Sequence, residues 1–137
     1  MEYQYKDFNR LIQESICTHW DRNALTDYKG STLQYKDVAR KIAKLHILFE
    51  TAGINPGDKI AVCGRNSSQW AVAFLAILTY RAVAVPILHE FKPEQVHNIV
   101  NHSEARLLFV GDLVYNSLKG DKEEYLAEEM PNLEGIV

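Results

Sequence analysis

The sequence predicts an α/β fold in which a parallel sheet carries helices on both faces, preceded by a small N-terminal β-hairpin. Three observations carry that prediction. Between Ile60 and Val110 the pattern runs strand, helix, strand, helix, strand, the order of right-handed βαβ units. The strand segments Ile60 to Cys63, Val83 to Ile87 and Leu107 to Val110 are continuous apolar runs, as strands buried on two faces require. The helix between the first two, ending near Tyr80, is apolar nearly all round and needs cover on several sides.

The elements follow in order. Phe8, Leu11, Ile12 and Ile16 recur at helical spacing within Asp7 to His19, so an amphipathic helix opens the chain. Ala24 to Asp27 and Ser31 to Tyr35 flank Tyr28-Lys29-Gly30, a hairpin in which Gly30 is expected to supply the positive φ of the turn. From Tyr35 to Ala52, the residues Val38, Ile42, Leu45, Phe49 and Ala52 form one buried stripe, and Gly53 ends the helix as a left-handed residue. Asn55-Pro56-Gly57-Asp58 is a turn, and Gly64 closes the strand after it. Asn66 or Ser67 can cap the next helix, because a short side-chain oxygen accepts the free amide hydrogens of its first turn. Lys92 to Ser103 reads as a helix with Pro93 at its first position and Val96, Ile99 and Val100 inward. A helical turn over Leu113 to Leu118 and an acidic segment from Asp121 to Met130 lead to Gly135-Ile136-Val137, which reads as a new strand. No linker or repeat divides residues 1–137, so they read as one unit. An apolar strand at the last residues sets the expectation that this unit is the N-terminal portion of a larger domain.

Composition excludes several classes. The chain has 137 residues and a formal charge of −3, with no basic stripe of the kind a nucleic-acid backbone needs. Its longest apolar stretch, Trp70 to Leu78, is far shorter than the ~20 residues of a membrane-spanning helix. Met1 to Asn9 lacks the basic start and apolar core of a signal peptide, so the cytoplasm is the expected location. Cys17 and Cys63 have no CxxC spacing and read as buried or half-buried thiols in a reducing compartment. Two Asn-x-Ser matches, at Asn66 and Asn101, carry no weight without a secretory signal.

The chemistry-bearing residues are sparse. His97 and His102 stand five apart, which turns them to different faces of a helix, so they read as polar residues on its wet side and not as metal ligands. His89 and Glu90 follow the strand Val83 to Ile87, where open α/β sheets hold ligands, and with Asn66 they are the candidates for a substrate-side or interface loop. An ordinary loop is the commoner meaning of such a pair. There is no GxSxG, no GxGxxG and no GxxxxGK. Glu123, Glu124, Glu128 and Glu129 read as a solvated helix face, and Trp70 as a core or subunit-contact aromatic.

Four blocks add a resemblance. Leu25-Thr26-Asp27 with Thr32 to Val38, then Gly53 to Val62 continuing into Asn66 to Trp70, then Ala76 to Ile87, and finally Glu94-Gln95-Val96 with Asn101 to Asp112, stand in the order and spacing of the adenylate-forming enzymes. That family includes acyl-CoA synthetases, luciferases and peptide-synthetase adenylation domains. The last block looks most like the long-chain fatty acyl-CoA synthetase branch. Arg81 stands where the family has Gly, so the helix end must avoid the left-handed conformation or tolerate it under strain. Gln34 stands where Ser or Thr caps the family's helix, although Asp37 can still meet free amides.

The resemblance implies a ligase: a carboxylate attacks the α-phosphate of ATP, pyrophosphate leaves, and a thiol, coenzyme A, then takes the acyl group from AMP. A fatty acid is the implied substrate. Mg2+, ATP and coenzyme A are implied for the full-length enzyme and no cofactor for this stretch. The family's phosphate loop, metal-binding Glu, ribose-binding Asp and catalytic Lys lie downstream of the matched region, so no catalytic, cofactor-binding or metal residue is carried onto this sequence. The implied partners are the remainder of its own chain and the carboxylic acid, with a homodimer as a further expectation and a membrane-peripheral position open to the full-length enzyme. An adenylating enzyme for aromatic or amino acids and a non-catalytic α/β binding or assembly module are the alternatives.

Overall fold

The structure, a computed structural model, describes residues 7–119 and 128–137. Its elements are α1 (Phe8–Thr18), β1 (Asn23–Thr26), β2 (Thr32–Gln34), α2 (Tyr35–Thr51), β3 (Lys59–Cys63), α3 (Ser68–Thr79), β4 (Val83–Ile87), α4 (Pro93–Ser103), β5 (Leu107–Val110), α5 (Asp112–Lys119) and β6 (Gly135–Ile136). β1 and β2 form the expected antiparallel hairpin, and the parallel sheet runs β4-β3-β5-β6. Glu123 and Glu124 lie outside the described residues.

Period-two alternation on the strands divides the core. Ile60, Val62 and Leu107 meet Val38, Ile42 and Phe49 of α2 and Val72, Ala76 and Ile77 of α3 on one face. Ala61, Cys63 and Leu108 meet Val96 and Val100 of α4 and Leu118 of α5 on the other. Two half-cores thus share one sheet, the layering that apolar strands with 3.6-periodic helices dictate. No residue from Trp70 to Tyr80 is exposed, in keeping with the nearly all-apolar composition of α3.

Local chemistry sets the element ends. Asp7 caps α1 by accepting from Arg10 N at 2.8 Å, and Ser67, not Asn66, caps α3 by accepting from Trp70 N at 3.1 Å. Gln34 stands at the N-cap of α2 and forms a capping box with Asp37, its backbone N–H donating to Asp37 Oδ2 at 2.9 Å. At the sheet's N-terminal end Arg106 donates to Gly53 O at 2.9 Å, Asp58 Oδ2 at 2.6 Å and Glu134 Oε2 at 2.8 Å, joining the approaches to β3, β5 and β6. The Asn55 backbone N–H, and then Arg106, hold the Asp58 carboxyl below its usual value.

Several expectations are corrected. The left-handed residue of the hairpin turn is Lys29, at φ 54°, and not Gly30. Gly30 is needed for space: a Cβ there would stand 2.9 Å from Asp27 Cβ. Among the described residues β4 lies at an edge of the sheet, where a strand proline is tolerated, and its Val83 and Pro86 are exposed, so it is not buried on both faces. Ala52 is exposed, because α2 ends before its stripe completes another turn. On α1, Phe8 and Leu11 remain exposed while Ile12 and Ile16 are half-buried. Cys17 is exposed and only Cys63 is buried.

Arg81 takes the strained alternative, at φ 69°. The left-handed region costs an L-residue roughly 1–2 kcal/mol, and part of that is offset in glycine by its larger unfolded-state entropy. Arg81→Gly should therefore raise stability by about 1 kcal/mol, read as a higher urea midpoint at unchanged m-value. A lower midpoint would show that the Arg81 side chain contributes contacts that outweigh its backbone strain.

Candidate ligand-binding crevice

The chain leaves β3 for β4 on one side of the sheet and returns to β5 on the other, so the loops after β3 and β5 diverge. Open parallel sheets bind ligands outside the strand C-termini at such a switch point. A crevice of about 430 Å³ lies there, within the range of small-molecule sites. Its floor is the strand ends Val62, Cys63, Phe109 and Val110. Trp70 and Ala73 of α3, Val96 of α4 and Leu118 of α5 form apolar walls, and Arg65, His89, Phe91 and Asp112 stand around it. Gly111 N donates to Cys63 O at 3.3 Å, tying the two floor strands together.

Of the sequence candidates, His89 lines the crevice, whereas Asn66 and Glu90 are exposed in the neighbouring loops. His89 Nε2 stands 3.9 Å from Glu90 Oε1. Arg65, Phe91 and Asp112 were not singled out from the sequence. The signal was available, since each directly follows a predicted strand or its loop, but a single arginine or phenylalanine there carries no motif. Trp70, expected as a core or subunit-contact aromatic, packs against the half-core of α2 and α3 and also walls the crevice, stacked on Phe74 with ring centroids 5.0 Å apart.

His97 corrects the reading of α4. It is buried, with Nδ1 3.8 Å from Glu129 Oε2, while Asn101 Nδ2 donates to Glu129 O at 2.7 Å. The segment before β6 covers that side of α4, so the histidine faces packing and not water. His102 is exposed as expected, and the two histidines are not brought together.

Cys63 is no nucleophile here, because burial pushes its thiol up to about 11. Among the described residues no group of three or more His, Cys, Asp and Glu side chains could hold a metal ion. None of the described helices is long and apolar enough to cross a membrane.

The loop that carries Arg65 and Ser67 is held from a distance. Asp27, at the end of the hairpin, accepts from both Ser68 N and Ser68 Oγ at 2.7 Å, fixing the start of α3. The Ser68 backbone N–H, and next its hydroxyl, hold the Asp27 carboxyl below the usual 3.8. A lowered folded-state pKa contributes stability above the unfolded value and loses it as pH falls through the folded one. Asp27→Asn should lower the urea midpoint near neutral pH, with the gap to the wild type closing below about pH 4. A gap that stays constant from pH 7 to pH 3 would remove the carboxylate's charge from the explanation.

Comparison with known proteins agrees with this geometry. The AMP-binding enzyme family model matches residues 12–136. Surfactin synthase subunit 2 of Bacillus subtilis (strain 168) is 30% identical over 118 residues, which are 85% of this chain and 3% of that protein. A probable CoA ligase of Humulus lupulus is 32% identical over 78 residues, 57% of this chain and 12% of that protein. The crystal structure of a long-chain-fatty-acid-CoA ligase from Archaeoglobus fulgidus superimposes with a TM-score of 0.83 at 20% identity, covering 99% of this chain and 28% of that one, which shows the shared fold. The chain thus spans less than a third of the length of each of these relatives.

Proposed function

The chain belongs to the AMP-binding enzyme family, and from that membership we propose that it is the opening α/β wall of an ATP-dependent ligase that activates a carboxylic acid. The observation that carries this is the family match over residues 12–136, which spans the whole parallel sheet and the crevice at its C-terminal end. In the proposed reaction a carboxylate oxygen attacks the α-phosphorus of ATP and pyrophosphate departs with the bonding electrons. The thiol of coenzyme A then displaces AMP from the acyl-adenylate. What residues 1–137 contribute is scaffold: the sheet holds the crevice walls, and Asp27 and Gly111 fix the loops beside them. ATP and Mg2+ would take their ligands from beyond this stretch, and the location proposed is the cytoplasm.

The substrate we propose is a fatty acid, a reading supported by the apolar walls of the crevice. An amino or aromatic acid is the second reading, favoured by the similarity to a surfactin synthase subunit. Hydroxylamine trapping of acyl-adenylates by the full-length protein, across acetate, longer fatty acids, benzoate and amino acids, separates them. Equal hydroxamate yields from acetate and palmitate would defeat the fatty-acid assignment. A coding sequence that continues without a Ser/Thr/Gly-rich loop ending in Pro-Lys-Gly would replace the ligase with a non-catalytic module on the same scaffold.

A further inference from the structure

We propose that the outward face of α2 docks the protein reversibly on an anionic lipid surface, with Arg40, Lys41 and Lys44 against the head groups and Ile47 and Leu48 sunk among them. The inference does not rest on the ligase reading, and none of these residues lines the crevice.

Helical spacing divides α2 into two sides. Val38, Ile42 and Phe49 are buried against the sheet. At about 100° per residue, Arg40, Lys44 and Ile47 lie opposite that stripe, with Lys41 and Leu48 on its flank. Arg40, Lys44, Ile47 and Leu48 are exposed, Ile47 by 63%, and Lys41 is half-buried. The hairpin, α1 and α3 all pack against α2 and leave this face open. Two large aliphatic side chains thus stand in water beside a row of cations.

The charges on the face are available to a partner. The chain as a whole carries −3, yet α2 holds four basic residues against two acidic ones. Lys36 is engaged by Asp21 at 3.2 Å. Asp37 accepts from Gln34 N and comes no nearer to Arg40 than 4.0 Å. Among the described residues Lys41 and Lys44 make no ion pair. Glu50 lies six residues past Lys44, about a third of a turn round the axis from it. A negative surface laid on α2 therefore meets three cations and little opposing charge. The shape selects lipid over an acidic protein. The face is the convex side of a helix, and its residues line neither the crevice nor the cavity beside α1, so it has no groove in which a peptide could bury its anchors. A bilayer interface admits apolar side chains from a convex helix directly, while long Lys and Arg stems keep their charges at head-group level. The cytoplasmic leaflet, which a cytoplasmic protein meets, is the anionic one.

Cosedimentation of the full-length protein with vesicles tests this. Phosphatidylcholine vesicles with about 30% phosphatidylserine should bind it, pure phosphatidylcholine should bind at least about tenfold more weakly, and about 0.5 M salt should release it. Each basic residue near such a surface is worth about a fivefold gain, so Arg40→Gln, Lys41→Gln and Lys44→Gln together should weaken binding on the order of a hundredfold. Ile47→Ser with Leu48→Ser should weaken it about tenfold, with circular dichroism and the urea midpoint of both variants close to the wild type. The proposal is overturned if anionic and neutral vesicles bind equally, or if neither binds, as when the rest of the chain covers α2. It is equally overturned if the triple variant binds like the wild type. Polyglutamate that displaces the protein from vesicles, with the serine variant binding undiminished, would make the face a site for an acidic protein instead. A dimer in sedimentation equilibrium that the serine variant dissociates would make it a contact between two copies. None of these results touches the ligase reading, which is judged by hydroxamate formation without lipid.

Discussion

Replacing Phe49 by alanine should cost about 3–5 kcal/mol, the usual penalty for removing a fully buried aromatic ring whose surroundings relax only in part. Phe49 is 0% exposed and joins three elements. From α2 its ring stands edge-on to Phe109 of β5, with centroids 6.0 Å apart and planes at 90°. It also meets Tyr80, at the end of α3, at 5.2 Å and 68°. Edge-to-face pairs add about 0.5–1.5 kcal/mol beyond area burial, so two such contacts place this site toward the upper part of the range. Tyr80 is itself fixed by donating from its hydroxyl to Ile54 O at 2.8 Å, which limits how far the site can collapse. Single domains have about 5–15 kcal/mol in total, so the variant should be marginally folded. Guanidinium denaturation followed by far-ultraviolet circular dichroism reads the loss. Phe49→Leu, which keeps most of the volume, should lose under about 1.5 kcal/mol. A loss below about 1 kcal/mol for the alanine variant would mean that α2 is not anchored to the sheet through this ring.

Phe49 was also among the residues most legible from sequence, and the reason is physical. Val38, Ile42 and Phe49 lie on one helical stripe, and local periodicity survives into the fold because burial selects it directly. The apolar run Ile60 to Cys63 gave the central strand in the same way, and the glycines at 53 and 57 both take positive φ. Features that depend on residues distant in sequence were not legible. Asp27 reads as a turn residue, and nothing local says that it meets Ser68, a pair separated by 41 positions. His97 lies one residue from the inward position of Val96, so periodicity alone sends it to solvent; the segment around Glu129 is what buries it. β4 looks like a central strand because its residues are apolar, yet strand order among the described residues puts it at an edge. The crevice follows the same division. Its place at the strand C-termini followed from the fold class, whereas its occupants Arg65, Trp70 and Phe91 needed the packing of three helices around it.

The opposite face of the sheet supplies the second large effect, and Cys63 makes it measurable. Leu108 is 0% exposed and packs in the half-core that contains Cys63, so Leu108→Ala should cost about 2–5 kcal/mol. The chain has two cysteines, one exposed and one buried. An excess of a thiol reagent should therefore react in two phases. Cys17 goes at once, and Cys63 waits for the sheet to open, since its thiol is sequestered and pushed up to about 11 by burial. When reclosing outpaces labelling, the slow phase follows the opening equilibrium. Leu108→Ala should then accelerate it by roughly 30-fold to several thousandfold, with the fast phase unchanged. The comparison with Phe49→Ala tests how the two faces are coupled. They share β3 and β5 as a common wall, with Ile60 and Val62 directed to one side and Ala61 and Cys63 to the other. A strand cannot leave one half-core without leaving the other, so both variants should accelerate Cys63 labelling in proportion to their measured losses of stability. If Phe49→Ala lowers stability by several kcal/mol and leaves the Cys63 phase untouched, the half-cores open separately and the sheet is not one cooperative unit.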